Sequence, residues 1–473
     1  MKKIQSRSWK GHTCLEFVRA DLHDYASLDA ALQGCDVAYY LVHSMSEEHK
    51  DFVAADRRAA KNFVALSEKH RLGRIIYLGG LGGNEPKTSL HLKSRQEVEK
   101  ILRSGRVPVT VFRSAHILGS GSASFEMLRY IVERMPFFIV PKSVIETKIQ
   151  PICIRNVLIY LEQCLEKEET INQTYDIGGP EILTYRELFE TYAEQAGLKK
   201  PLLIHSPTPS FSLGTKIAHF IAKLILPLSP GISQPLLEGL GIEIVTKEDK
   251  IKNIIPQELI RCCSAIDRAI QKGSLKLVDT RWTDAGGMQM PEWIHAGDAD
   301  YSGGTLLQGG YKITLDCGPA EIWSLVSRIG GYNGWYYGDI LWQIRGWMDQ
   351  FAGGVGLRRG RRHSEQLYIG DALDFWRVLD VKPPLRLILL AEMKLPGEAL
   401  LNFELIPGKN GTELRLGTRF RPKGLYGILY WYALLPFHNL LFGGLLKELA
   451  KRVGKKIIQG PEKYRPGPLI LNQ

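Results

Sequence analysis

In the stretch from Tyr77 to Leu102, YLGGLGGNEPKTSLHLKSRQEVEKIL, a histidine and an arginine stand four residues apart at the start of a helical pattern. That spacing places His91 and Arg95 on one helix face. An imidazole there can act as an acid near neutral pH, and the guanidinium can bind a ribose hydroxyl or an anion. Ordinary residues at a helix start would look the same. Two glycine clusters lie nearby. Gly79-Gly80-Leu81-Gly82-Gly83 follows a strand-like run, but the next helix starts too far downstream to present its N-terminus to the same phosphate. Backbone permissiveness is the better reading of that cluster. Gly119-Ser120-Gly121 reads as a substrate-side turn rather than a phosphate loop, since it follows a late strand. In the second half, GWYYGDILWQIRGW gathers Trp335, Tyr336, Tyr337, Trp342 and Trp347. Polar Asp339, Arg345, Asp374, Glu392 and His438 interrupt apolar elements there, and could orient a ligand in a cavity or serve as structural hydrogen-bonding partners.

These residues need a scaffold, and the chain supplies two patterns. The first half alternates short β-rich runs with longer helical ones, the signature of a parallel sheet. Strands are expected at Cys14–Val18, Val37–Val42, Arg74–Leu78, Val109–Phe112 and Thr174–Ile177, with helices at Ser27–Gln33, His49–His70, Leu92–Arg103 and Phe125–Arg134. Thr184 with Glu187 three residues on predicts a capping box. Eight of nine tryptophans fall at position 282 or later, and the pattern there becomes β-rich, with a hairpin signal at Pro407-Gly408-Lys409-Asn410-Gly411. The expected division is residues 1–272 and 276–473. The second part reads as an antiparallel sheet around a long apolar helix, Gly424–Leu446.

The segments VRADLHDYASLDAALQGCDVAYYLVHSM, RIIYLGGLG, VPVTVFRSAHILGSGSASFEMLRYIVERMP and YDIGGPEILTYREL together resemble the extended and atypical branch of the short-chain dehydrogenase/reductase superfamily. The resemblance spans most of residues 12–270 and implies a Rossmann-like α/β domain that binds NAD or NADP. It implies that Asp21 and Leu22 reach the adenine, that Leu41, Val42 and His43 line the ribose, and that Gly79, Arg113 and His116 lie towards the nicotinamide. The chain departs from the family twice. His91 and Arg95 occupy the positions of the family's tyrosine and lysine, and Gly79 that of its serine. The glycine-rich first strand–turn–helix does not precede residue 14; residues 1–13 align with the loop after the second strand, so the expectation is a shortened start, a split sheet and weak dinucleotide binding. From residue 280 on, RIGGYNGWYYGDILWQIRGWMDQFAGGVGLRRGRR, GDALDFWRV and LYWYALLPFHNLLFGG resemble an uncharacterised domain related to helix-grip ligand-binding proteins of the START and polyketide-cyclase (SRPBCC) type.

Composition limits what this can be. The 473 residues are 44% hydrophobic and 23% charged, suited to two cored domains. The charge of +11 is mostly dispersed, and its two basic knots, Arg358–Arg362 and Lys451–Lys456, follow no nucleic-acid-binding motif, so no nucleic-acid partner is expected and solvated loops or helix ends are. The seven scattered cysteines offer no zinc spacing and fit a reducing cytoplasm. The basic start lacks an apolar h-region, so it does not read as a secretory signal. Phe211–Leu228 reads as an amphipathic helix. Gly424–Leu446 is long enough to cross a bilayer, yet Pro436, His438 and Asn439 at mid-segment favour a buried helix, with surface association with a membrane as the remaining alternative. The function expected is an atypical NAD(P)-dependent oxidoreductase acting on an apolar or aromatic small molecule; the alternative is a noncatalytic sensor of the cofactor or of a lipid-like ligand.

Overall fold

The structure, a computed structural model, describes residues 12–43, 52–82, 89–134, 137–206, 241–274, 306–361, 363 and 365–466. The expected helix at 211–228 lies outside them. The chain forms two compact units, Thr13–Trp282 and one that includes Thr283–Gln473.

The first unit is built on a parallel sheet of β1 (Val37–Tyr40), β2 (Arg74–Gly80), β3 (Val109–Ser114) and β4 (Thr174–Ile177), in that spatial order. Its helices are α1 (Tyr25–Leu32), α2 (Phe52–Lys69), α3 (Leu90–Arg103), α4 (Ala123–Arg134), α5 (Ile154–Gln163), α6 (Tyr185–Gln195) and α7 (Cys262–Ser274). Both faces of the sheet are covered, which is why its strands read as continuous apolar runs. Ile75, Tyr77, Val109 and Val111 pack with α1, α2 and α3. Ile76, Phe112 and Tyr175 pack on the opposite face with Val157, Tyr160 and Leu161 of α5. Successive strand residues alternate between these two cores, as the pleat requires. Along α2, Ala55, Ala59, Ala60, Phe63 and Leu66 recur at helical spacing and form its buried stripe. The capping box starts α6: Thr184 Oγ1 accepts from Glu187 N at 3.2 Å, and Glu187 Oε2 accepts from Thr184 N at 2.7 Å.

One expected strand does not form. Residues 14–18 join no ladder, and Leu15 and Val18 are about half exposed. A short apolar run becomes a strand only beside a partner, and the outer edge of β1 has none among the described residues. The sheet is therefore continuous from β1 to β4 and not split.

The second unit is an antiparallel sheet of seven strands. Its elements run β5 (Leu307–Leu315), α8 (Pro319–Val326), α9 (Asp339–Phe351), β6 (Ala372–Leu373), β7 (Trp376–Lys382), β8 (Arg386–Ala391), β9 (Gly397–Gly408), β10 (Gly411–Pro422), α10 (Gly424–Val453) and β11 (Ile457–Lys463). The spatial order is β6-β7-β8-β9-β10-β5-β11. Gly408 pairs with Gly411, so Lys409-Asn410 is the tight turn. One sheet face is apolar: Ile313, Leu315, Leu387, Leu389, Leu401, Phe403, Leu414 and Leu416 join a core with the inner sides of α8, α9 and α10. The other face carries ion pairs such as Lys312–Glu413 and Arg386–Asp380. The long helix runs one turn and more beyond the expected end, through Val453. Its inner stripe of Trp431, Leu441, Phe442, Leu445, Leu446 and Leu449 is buried, whereas Tyr426 is 73% exposed.

Candidate functional site

Parallel strands end on one edge of their sheet, and open α/β sheets bind ligands at that carboxyl edge. His43 follows β1 there, Gly79 and Gly80 end β2, and Arg113 and Ser114 end β3 just before His116.

His91 lies in the first turn of α3, whose N-cap is Ser89, with Oγ accepting from Leu92 N at 3.4 Å. One turn on, Ser94 donates to buried Asp56 Oδ2 of α2 at 2.8 Å, and Tyr77 Oη donates to the Arg95 carbonyl at 3.0 Å. His91, His43, Arg95 and Asp56 thus form one electrostatic group. Burial first, then the Arg95 charge and His43, push the His91 pKa down to about 4, with Asp56 opposing. Burial and Arg95 push His43 down to about 4, again against Asp56. His91 is half-buried whereas His43 keeps an exposed surface, so loss of hydration is the firmer cause at His91. A His91 that is neutral at neutral pH changes its expected role. It can polarise an oxygen by donating a hydrogen bond, but it carries little imidazolium to deliver a proton.

The remaining sequence-derived positions divide by how far they are committed. Asp21 Oδ1 accepts from His23 N at 2.8 Å, and the Leu22 carbonyl accepts from Asn62 Nδ2 at 2.9 Å, which fixes the turn before α1. Leu41 and Val42 are exposed beyond β1. Gly79 and Gly80 continue β2 and are not part of the turn; among the described residues of this cluster the left-handed one is Gly82, φ +92°. Arg113 makes two hydrogen bonds to Glu99 of α3, at 3.0 and 2.7 Å, which hold its pKa up. That pairing ties β3 to α3.

His116 leads to a second feature. Its Nε2 lies 2.7 Å from Tyr185 Oη at the first residue of α6. The two flank a cavity of about 30 Å³ walled by Ile117, Met127, Leu128, Ile131, Leu188 and Phe189. Burial pushes His116 down to about 4 and raises Tyr185. Both rings are neutral, so the pair can share a proton in a hydrogen bond and offer one to an oxygen placed in the cavity. The two regions adjoin through packing: a Cβ on Gly80 would meet Leu92 of α3 at 2.9 Å, and Leu81 joins Leu118, Leu128 and Tyr185 in one core. Tyr185, Asp56 and Ser94 escape a reading of the sequence. Tyr185 looks only like the residue after a cap and lies 69 positions from its partner.

A dinucleotide needs a seat for its pyrophosphate, normally free N–H groups at a helix start. The two helix starts legible at this edge are already capped: α3 by Ser89, and α4 by Ser122 Oγ accepting from Phe125 N and by Glu126 Oε1 accepting from Gly121 N. The Glu126 carboxylate also repels a phosphate, so the Gly119–Gly121 turn is not a phosphate loop. Neither of these two helix starts offers free N–H groups to a pyrophosphate.

In the second unit, four of the five polar candidates serve the fold. Asp374 Oδ2 accepts from Gly331 N and Trp335 Nε1, each at 3.0 Å; Asp339 Oδ1 accepts from Trp335 N at 2.8 Å; Glu392 pairs with Arg377 at 2.9 Å; Arg345 donates to the Lys394 carbonyl at 3.4 Å. His438 differs. Its ring lies against Trp431 and Phe442, burial pushes its pKa to about 4, and its buried Nδ1 has no hydrogen-bond partner. Trp335 and Trp342 stack in the core at 4.8 Å. Arg361, within the first basic knot, is buried and donates to the carbonyls of Ile329 and Ser327, so that knot is partly structural and not a wholly solvated loop.

A family model described as a protein of unknown function (DUF2867) matches residues 301–445. A curated relative, the mitochondrial NADH dehydrogenase [ubiquinone] 1 alpha subcomplex subunit 9 of Arabidopsis thaliana, is 22% identical over 176 residues, 37% of this chain and 44% of that protein. The chain thus spans less than half of that relative's length. Among solved structures, a nucleoside-diphosphate-sugar epimerase from Staphylococcus aureus is 15% identical with a TM-score of 0.44, covering 56% of this chain and 88% of its own. The triphenylmethane reductase of Citrobacter sp., complexed with NADP(H), is 18% identical with a TM-score of 0.42, covering 54% and 84%.

Proposed function

We propose that the first unit is an NAD(P)H-dependent reductase unit of the atypical short-chain type, acting in the cytoplasm on an apolar or aromatic small molecule that carries one hydrogen-bond-accepting oxygen. The His116–Tyr185 pair carries this reading: it stands in apolar walls at the edge where parallel α/β sheets bind ligands, beside a cavity of about 30 Å³ that has room for one oxygen-bearing group. A bound reduced dinucleotide would supply the hydride. The residues of this chain would receive the substrate's oxygen beside Tyr185, whose hydroxyl fixes it, and leave the apolar body at the solvent-facing mouth of the cavity, since about 30 Å³ holds one small group. Since burial alone acts on the Tyr185 hydroxyl and raises its pKa, that group donates a hydrogen bond and keeps its proton. The proton that completes the reduction comes from solvent. The test is NADPH oxidation with a panel of aromatic aldehydes and ketones. Turnover that Tyr185→Phe lowers about 10²-fold supports the proposal; cofactor binding without turnover of any panel member refutes it.

The second reading is a noncatalytic sensor whose second unit is a helix-grip domain for a lipid-like ligand. The unpartnered His438 Nδ1 beside Trp431 and Phe442 favours it, because a buried polar atom without a partner costs stability that a ligand group would restore. Quenching of tryptophan fluorescence by an apolar ligand in the wild type, lost in His438→Phe, supports that reading.

A further inference from the structure

Two helices of the second unit carry apolar stripes on the side turned away from their core. On α9 the exposed residues are Ile340, Ile344, Trp347, Met348 and Phe351, while Trp342, Gly346 and Asp349 form its buried side. On the first half of α10 they are Leu425, Tyr426, Leu429, Tyr432, Phe437 and Leu440. All of them are between 42% and 73% exposed. The helices lie side by side and antiparallel. Gly338 abuts Leu441, the Arg345 charge acts on the Tyr430 hydroxyl, and the Lys394–Pro396 loop binds both: Lys394 N donates to Asp349, and Lys423 N donates to the Pro396 carbonyl. Both pack over the apolar sheet face, and each carries its outer stripe on the side turned from that core.

We propose that this face docks flat on an anionic lipid bilayer. A soluble monomer rarely leaves a contiguous apolar patch beyond roughly 300–600 Å², and eleven large side chains exceed that. The composition points to lipid and not to a protein partner. Protein interfaces place a hydrogen-bonding group about every 100–200 Å², whereas beside the eleven apolar side chains the exposed polar residues are Asp339 and Gln343 in the first half of α9 and the ring tips of Trp347, Tyr426 and Tyr432, the residue types that settle at headgroup level. The charge at the rim agrees. Exposed Lys394 and Lys423, with half-buried Arg345, flank the end where the two helices meet the loop, and α10 has no charged residue from Gly424 to Leu446. The proposal is independent of the reductase reading.

The test uses the full chain with vesicles of phosphatidylcholine alone and of equimolar phosphatidylcholine and phosphatidylglycerol. Pelleting with the anionic vesicles, weakened by salt, is expected, together with tryptophan quenching by brominated acyl chains. The double variant Trp347→Ser, Leu429→Ser, substituted only at exposed positions, is expected to bind at least about tenfold more weakly. Lys394→Glu with Lys423→Glu should erase the preference for anionic lipid. The proposal is overturned if the wild type stays in the supernatant with both vesicles, or if the apolar double variant binds as the wild type does. Pelleting that resists alkaline carbonate, the mark of a spanning helix, overturns it too. A solution dimer that the same variant dissociates assigns the face to a second copy instead.

Discussion

At the scale of the residue, environment outweighs identity. His91 and His116 are imidazoles with an ordinary pKa near 6.5, yet burial takes both to about 4. Their folded pKa lies below the unfolded one, so the unfolded chain binds more protons between those values. Stability from these groups is fully present above pH ~6.5 and is lost as pH falls towards ~4, at up to about 1.4 kcal/mol per histidine per pH unit. Denaturant midpoints should therefore fall from neutral pH to mildly acidic pH, and His116→Asn should flatten that fall whatever it does to stability at neutral pH. His91→Phe removes a neutral hydrogen-bond donor and not an acid. Because Tyr185 holds the substrate's oxygen, the loss expected in kcat/KM is no more than about tenfold, with a pH–rate profile through the neutral range like that of the wild type; a neutral-range limb in the wild type that the variant loses would show that His91 titrates there. The His91–Arg95 spacing was legible in the sequence. That both histidines are neutral was not, because the burial of each, and His43 beside His91, come from other elements.

At the scale of the element, short-range chemistry was well read and neighbours were not. The box at Thr184–Glu187 is local and formed as the spacing predicts. Thr184→Ala should destabilise the first unit by about 1 kcal/mol, measured by chemical denaturation. Residues 14–18 show the converse, a run with strand-like composition that finds no ladder. Arg113 and Glu99 show why long-range partners matter to stability. Glu99 is buried, and Arg113→Ala leaves its carboxylate without its bidentate partner, so a loss of about 3–5 kcal/mol is expected. Because the Arg113 side chain is 37% exposed, solvent screening brings the expected loss to the lower end of that range. On α10, Leu446→Asp puts a carboxylate into the core and should unfold the second unit, whereas a serine at exposed Leu429 should leave its melting unchanged.

At the scale of the molecule, each unit owns its core: in the first, two apolar clusters lie on the faces of the parallel sheet and a third around α4, α6 and α7, and in the second, one lies between the antiparallel sheet and its helices. Full-chain calorimetry should resolve two transitions. NADPH should raise only the one that Tyr185→Phe leaves in place and Leu446→Asp does not abolish. The shift is expected to be small at moderate ligand concentration, since stabilisation follows the ratio of ligand to Kd and the described helix starts α3 and α4 offer no phosphate seat. A large shift confined to the second unit's transition would place the dinucleotide elsewhere.

The sequence by itself determined the two fold classes, because apolar periodicity of two and of 3.6 residues is a local property that burial on either side of a strand or helix imposes. It also placed His43, Gly79, Arg113 and His116 at or just beyond strand ends, and parallel strands end together on one edge. Tertiary structure alone decided what those residues can do. It set Tyr185 against His116 across 69 positions, gave Arg113 to Glu99, buried Arg361 out of a run that reads as solvated, and turned the apolar side of α9 and of the first half of α10 outward. Each of those outcomes depends on which distant surface reaches a side chain first, and that competition leaves no mark at short range in the chain.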